Sequence, residues 1–171
     1  MIYETKATGA TPPEKLMIVH AAARPNEYFH ARGTGQAEPP RVDTRQAATT
    51  PLAGSDFWLT DLGLDFLHWP VQGLLKFEQP TMRKGRPCDV LDRVQPNPAP
   101  GGYGRVVSFV DKETGGLIMA EGYDHTGKVL KEFSVRSFKK VEGQWQLQEM
   151  EIRNIKTDSR TRIEFDLERQ K

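Results

Sequence analysis

The chain has 171 residues, enough for one domain and too few for two of ordinary size. Lys and Arg number 24 against 23 Asp and Glu, and the signs balance to within one over 1–50, 51–100 and 101–171, so the sequence carries no basic footprint for nucleic acid or an anionic membrane. A single cysteine, Cys88, rules out an intrachain disulfide and a Cys-based zinc site, and no run approaches the ~18 apolar residues of a spanning helix.

Residues 2–8 alternate like a strand from the second position, and the first residues have neither the basic nor the apolar region of a signal peptide. A native start and a start left by removal of a targeting segment both fit that pattern. Residues 15–22, with Leu16, Met17, Ile18 and Val19, form the most apolar strand of the first third, and Arg24-Pro25-Asn26 turns the chain into a strand at 27–33. Residues 34–51 are rich in Gly, Pro, Ala and Thr with almost no large apolar side chain. That is the composition of a flexible surface loop outside the core.

Residues 55–69 carry the one convincing helical pattern. Leu59, Leu62, Phe66 and Trp69 fall on one face, Ser55 or Thr60 offers a cap, and Pro70 ends the run. Gly63 weakens such a helix by up to about 1 kcal/mol relative to Ala, so it depends on packing. Its aromatic content (Phe57, Trp58, Phe66, Trp69) calls for a large apolar surface beneath it.

From Pro70 onward the pattern is strand and turn. Strands are expected at 73–79, 88–95, 105–111, 117–124, 128–138, 145–154 and 160–168, separated by turns such as Lys84-Gly85, 125–127 and Glu142-Gly143. Turns this regular, with no helix between them, indicate an antiparallel meander rather than βαβ units. Val106/Val110, Leu117/Met119, Val129/Phe133/Val135 and Ile163/Phe165/Leu167 alternate with polar residues, so one face of the sheet is buried. Trp145 and Leu147 share one parity and Met150 and Ile152 the other, which marks a β-bulge near Gln148 and a bent strand. The expected fold is a single α+β domain over 1–171, a curved antiparallel sheet with one helix covering its concave face.

Asp61, Asp65 and His68 recur at i, i+4 and i+7, a spacing that could gather three ligands or an acid–base pair. The same spacing describes the solvated flank of an amphipathic helix, and one helix seldom completes a metal site alone. His125 falls in a hairpin turn, and His20 and His30 lie in strands without a sequence partner. The sequence contains no nucleophile elbow, P-loop, His-Glu-x-x-His or dinucleotide fingerprint. Cys88 opens an apolar strand away from any His, as a buried, inert thiol would. No catalytic residue, metal ligand or cofactor is assigned. Trp58, Phe66, Trp69, Phe109, Tyr123, Phe133 and Trp145 either fill a core or line a cavity for an apolar ligand, and the pattern fits both.

Over roughly 52–168 the order of motifs resembles the outer-membrane lipoprotein-sorting (LolA-like) family. The runs that carry the likeness are Gly85-Arg86-Pro87-Cys88-Asp89-Val90-Leu91-Asp92, then Val106-Val107-Ser108-Phe109-Val110-Asp111-Lys112-Glu113-Thr114-Gly115. Glu121-Gly122-Tyr123-Asp124-His125-Thr126-Gly127-Lys128 and the hairpin from Ser137 to Trp145 follow at matching distances. Leu52-Ala53-Gly54-Ser55-Asp56-Phe57, then Thr60-Asp61-Leu62, resembles the segment that opens the family's lid helix. The resemblance implies an incomplete barrel covered by helices, a periplasmic location with the targeting segment removed, and non-catalytic carriage of lipid or lipoprotein acyl chains. Two departures stand beside it: one helix is readable where larger members have several, and no residue matches the family's lid-gating basic residue. Periodicity puts Leu62, Phe66 and Trp69 on the lid side of such a cavity, and Phe109, Met119, Phe133 and Trp145 on the sheet side. The alternative is an envelope protein–protein interaction module with a filled core, acting through sheet edges or the 34–51 loop.

Overall fold

The computed structural model describes residues 1–6, 9–21, 24–34 and 38–167, without the side chains of Val71 and Gln72. The expected strand ends at 7–8, 22 and 168, and 35–37 of the expected loop, lie outside the described residues. Strands β1 (Ile2–Glu4), β2 (Glu14–Ala21), β3 (Arg24–Arg32) and β4 (Arg41–Val42) form a small antiparallel sheet in chain order. Helices α1 (Thr44–Ala47) and α2 (Leu59–Leu62) and a 3-10 turn, Asp65–His68, follow it. The remaining strands are β5 (Val71–Leu75), β6 (Thr81–Arg83), β7 (Arg86–Val94), β8 (Arg105–Asp111), β9 (Leu117–Tyr123), β10 (Val129–Val141), β11 (Gln144–Asn154) and β12 (Ser159–Glu164). They form an eight-stranded sheet in the order β12-β11-β10-β9-β8-β7-β5, with β6 also on β7, and it does not close on itself. The expected meander is therefore present. Two of its hairpins are equally tight: β6–β7 turns at Lys84 (φ 49) and Gly85 (φ 74) and β10–β11 at Glu142 (φ 50) and Gly143 (φ 85), the left-handed pairs that a twist-matched two-residue turn requires.

Both sheets bury one face against the same core. Leu16, Ile18 and Tyr28 come from the small sheet, Val106, Phe133, Met150 and Ile152 from the large one, and Phe57, Leu59, Leu62, Phe66 and Trp69 lie between them. The bulge expected near Gln148 is where the pairing skips: Val135 faces Met150, Ser137 faces Glu149, and Phe138 faces Leu147, leaving Arg136 and Gln148 out of register.

Two expectations are corrected. Residues 55–69 do not form one helix but two single-turn pieces, parted at Leu64 in the left-handed region (φ 48, ψ 45). The cause lies across the core. Asn26 Nδ2 donates to the Gly63 carbonyl at 2.8 Å, occupying the acceptor that a continuing helix would offer to Leu67, and the Leu67 N–H turns instead to Leu64 O at 3.0 Å. The described part of the 34–51 segment is not a free loop: β4 pairs with β3, and α1 buries Ala47 completely. Its anchors, Val42 and Ala47, are too small to register in a reading based on large apolar residues.

Candidate functional site

The segment from α2 through the 3-10 turn, residues 59–68, forms a lid over the inner face of the large sheet, and buried polar groups hold it there. Lys131 on β10 has a side chain only 4% exposed. Its ammonium donates to Asp61 Oδ2 at 3.2 Å and to Asp56 O at 2.6 Å, and lies 3.4 Å from the centre of the Trp58 ring. Burial pulls the Lys131 ammonium below the ordinary lysine range, and the Asp61 charge opposes that shift. Asp61 also accepts the Tyr103 hydroxyl at 2.9 Å and the Trp58 N–H at 2.8 Å, which fastens the first turn of α2. Asp56, just upstream, accepts from Ser159 at 2.6 Å and Thr161 at 2.9 Å and donates its N–H to Thr161 Oγ1 at 3.0 Å, tying the lid's base to β12.

A second polar set holds the lid's far end. The Tyr28 hydroxyl donates to Asp65 Oδ1 at 3.2 Å, and Trp69 Nε1 donates to Asp65 Oδ2 at 3.3 Å. Burial pushes the Asp65 carboxyl up, and these two donors only partly offset it. Asp61 and Asp65 are thus both buried and face different partners, and the expected solvated flank does not exist. Neither do Asp61, Asp65 and His68 converge: among the described residues no group of three His, Cys, Asp or Glu side chains is arranged to hold a metal ion.

Of the seven apolar residues singled out from periodicity, the fold gathers four. Leu62, Phe66, Trp69 and Phe133 are buried in the main core, at the interface of lid and sheet. Phe109 and Met119 lie on the opposite face, packed with Cys88, Val90 and Val107, and the Arg83 guanidinium covers the Phe109 ring at 4.1 Å. The parity already separates them, since Phe109 is three residues from the inward-facing Val106. Met119 is displaced by the skip at Ile118, where Phe109 pairs with Met119 and Val110 with Leu117. Trp145 is 71% exposed. It shares a parity with Leu147, which does pack on the core, but it stands at the hairpin tip beyond the lid's reach. Cys88 is buried as expected, and burial raises its thiol.

With the lid seated, the space beneath it is a cavity of about 20 Å³, bordered by Phe66, Val106, Phe133 and Ile152 on its apolar side and by Asp61 and Lys131 on its polar side. That is room for one water molecule. An open groove of about 1130 Å³ runs between the free edges of β1 and β12, spanned by an edge-on contact of Tyr3 and Phe165 with ring centres 6.1 Å apart. The sequence reading missed Lys131 and Arg93, both charged residues in inward-facing strand positions. Lys131 shares its parity with Phe133 and Val135, and Arg93 lies opposite Val106. Arg93 is 7% exposed; its Nη1 donates to Ser108 Oγ at 3.1 Å, its guanidinium lies 5.6 Å from the Phe66 ring centre, and its Nε has no partner.

An unclosed antiparallel sheet with short helical turns seated on its inner face is the LolA-like fold. Solved structures that share it include a DUF1329 family protein from Desulfovibrio piger, with TM-score 0.65 and 16% identity over 92% of this chain and 66% of that one. This chain thus spans just under two thirds of that protein. A domain from Vibrio parahaemolyticus described as an outer membrane lipoprotein-sorting protein matches with TM-score 0.64 and 18% identity, covering 94% of this chain and 78% of its own. A LolA superfamily protein from Nitrosomonas europaea matches with TM-score 0.60 and 12% identity over the same shares. No curated protein matches the sequence. A family model described as "Uncharacterized protein" matches residues 37–169, and the chain belongs to that family.

Proposed function

We propose that this protein is a non-catalytic carrier in the periplasm that takes up the acyl chains of lipids or lipoproteins beneath its lid. The observation that carries this reading is the form of the lid. It is two single-turn pieces hinged at a left-handed Leu64, apolar underneath and latched by polar contacts. Because no strand pairing among the described residues joins the small sheet to the large one, the segment can part from the large sheet together with the small sheet that holds it, and this uncovers Leu62, Phe66 and Trp69 on one side and Phe133 and Ile152 on the other. The cavity of about 20 Å³ is then the closed form, in which the lid's own side chains occupy the place of a ligand. An acyl chain competes with the lid for the same apolar sheet face. The fold of the lipoprotein-sorting domain and of the LolA superfamily protein supports the reading by likeness of architecture.

A second reading, a protein–protein interaction module with a filled core, draws on the exposed Trp145 and Phe138 of the β10–β11 hairpin. Native mass spectrometry of the purified protein, with organic extraction and incubation with fatty acids and phospholipids, separates the two. Carriage predicts a stoichiometric acyl adduct. A mass that stays that of the bare chain throughout would transfer the case to the interaction module.

A further inference from the structure

We infer that Arg93 is the head-group anchor of the lid site and that the ligand is an anionic amphiphile, a carboxylate or phosphate group on an acyl chain. This rests on the carrier reading and narrows its ligand. A guanidinium has five N–H donors and keeps its charge in any protein setting, and buried charges are ordinarily paired. Three more exposed arginines are paired in this way: Arg86, Arg105 and Arg153 hold Asp111, Asp92 and Asp158 at 2.7–2.8 Å. Arg93, the buried one, has no carboxylate partner among the described residues. Among the described residues its Nη1 donates to the neutral Ser108 hydroxyl, and its buried Nε has no hydrogen-bond partner.

The partner that such a group lacks is an anion, and the planar fork matches a carboxylate or a phosphate. Its position suits a lipid head. Phe66, the lid residue stacked over Arg93, also borders the small cavity together with Val106, Ala120 and Phe133. Raising the lid frees the guanidinium and the apolar strip together. A head group held at Arg93 lays its chain along that strip. Lys131 does not compete for the role, because Asp61 and the Asp56 carbonyl already engage its ammonium.

The test compares paired probes of equal chain and different head: palmitate against hexadecanol, and phosphatidic acid against diacylglycerol. Affinities are measured by calorimetry on the wild-type chain and on Arg93→Gln. The wild type is expected to favour each anionic probe over its neutral counterpart by about tenfold or more, in line with a charge-assisted contact. Arg93→Gln should bind both members of a pair within about twofold while keeping its affinity for the neutral ones. The stronger anionic probe then identifies the source, free fatty acid or phospholipid. Equal affinities within each pair on the wild type would overturn the anchor and leave the carrier standing, as would a charge preference that survives in Arg93→Gln. Failure of all four probes to bind would remove both readings. If Arg93→Gln does not fold, the wild-type comparison decides alone.

Discussion

Arg93 and Lys131 are two buried cations on one sheet face, and their surroundings give them opposite energetic signs. Lys131 completes a set in which Asp61 is the counter-charge, so Lys131→Met leaves a buried carboxylate without its cation and should cost about 3 kcal/mol. Arg93 has no counter-charge among the described residues to orphan, and Arg93→Met should raise stability by about 1 kcal/mol, as apolar replacement of a poorly compensated buried ion does. Urea denaturation of both variants reads the contrast; a loss of stability in both would mean that Arg93 is a structural residue. Asp65 adds a pH dependence. Its folded carboxyl is raised by burial, so it holds a proton more firmly than the unfolded chain does. Asp65 therefore subtracts from stability at neutral pH, and the subtraction is relieved as pH falls through the raised value toward the unfolded one. Asp65→Asn should accordingly gain more over the wild type at about pH 7.5 than at about pH 4.5 in paired denaturation curves. The inward parity of these charged residues could be read from the strand alternation. Their partners could not, because Asp61 and Lys131 are 70 residues apart in the chain.

The lid shows where local propensity yields to contact. Four apolar residues at helical spacing were correctly assigned to one buried face, yet the helix they suggested is cut at Gly63-Leu64 by a side chain from another sheet. Gly63 is required there: a Cβ at that position would stand 2.3 Å from the Tyr28 hydroxyl oxygen. Gly63→Ala should therefore destabilise by about 1–3 kcal/mol, despite alanine's better helix propensity, and should speed amide exchange over 64–68 more than in the strands. A neutral or stabilising outcome would show that the lid shifts freely against β3. The β10–β11 bulge is the converse case. Its signature, a change of apolar parity within one strand, is entirely local, and it was readable. Trp145 was misplaced for a different reason. Parity gives the side of the sheet, but how far along the strand the cover extends depends on the length of the lid.

At the scale of the molecule, the two sheets meet over one core and leave an open seam between β1 and β12. The Tyr3–Phe165 contact crosses that seam, and the Asp56 hydrogen bonds tie β12 to the base of the lid. A double-mutant cycle on Tyr3→Leu and Phe165→Leu should give a coupling of about 0.5–1.5 kcal/mol if the rings hold the seam. Additive losses would place the closure on contacts other than this ring pair.

The antiparallel meander, the core-facing alternation of β10, the position of the bulge and the burial of Cys88 were all legible in the chain, whereas the second buried face around Phe109 was not expected. Each of the legible features is written in the period-2 alternation and the turn residues, which act over a few positions. Contacts across the core break the helix into a hinged pair of turns and dock the segment around Ala47, and the skipped register between β8 and β9 turns Met119 away from the lid. They also set Arg93 beneath Phe66 with no carboxylate beside it among the described residues. These outcomes depend on which distant groups meet across the core, and a hydrogen bond from Asn26 or the absence of a carboxylate beside Arg93 leaves no trace in the local pattern of either segment.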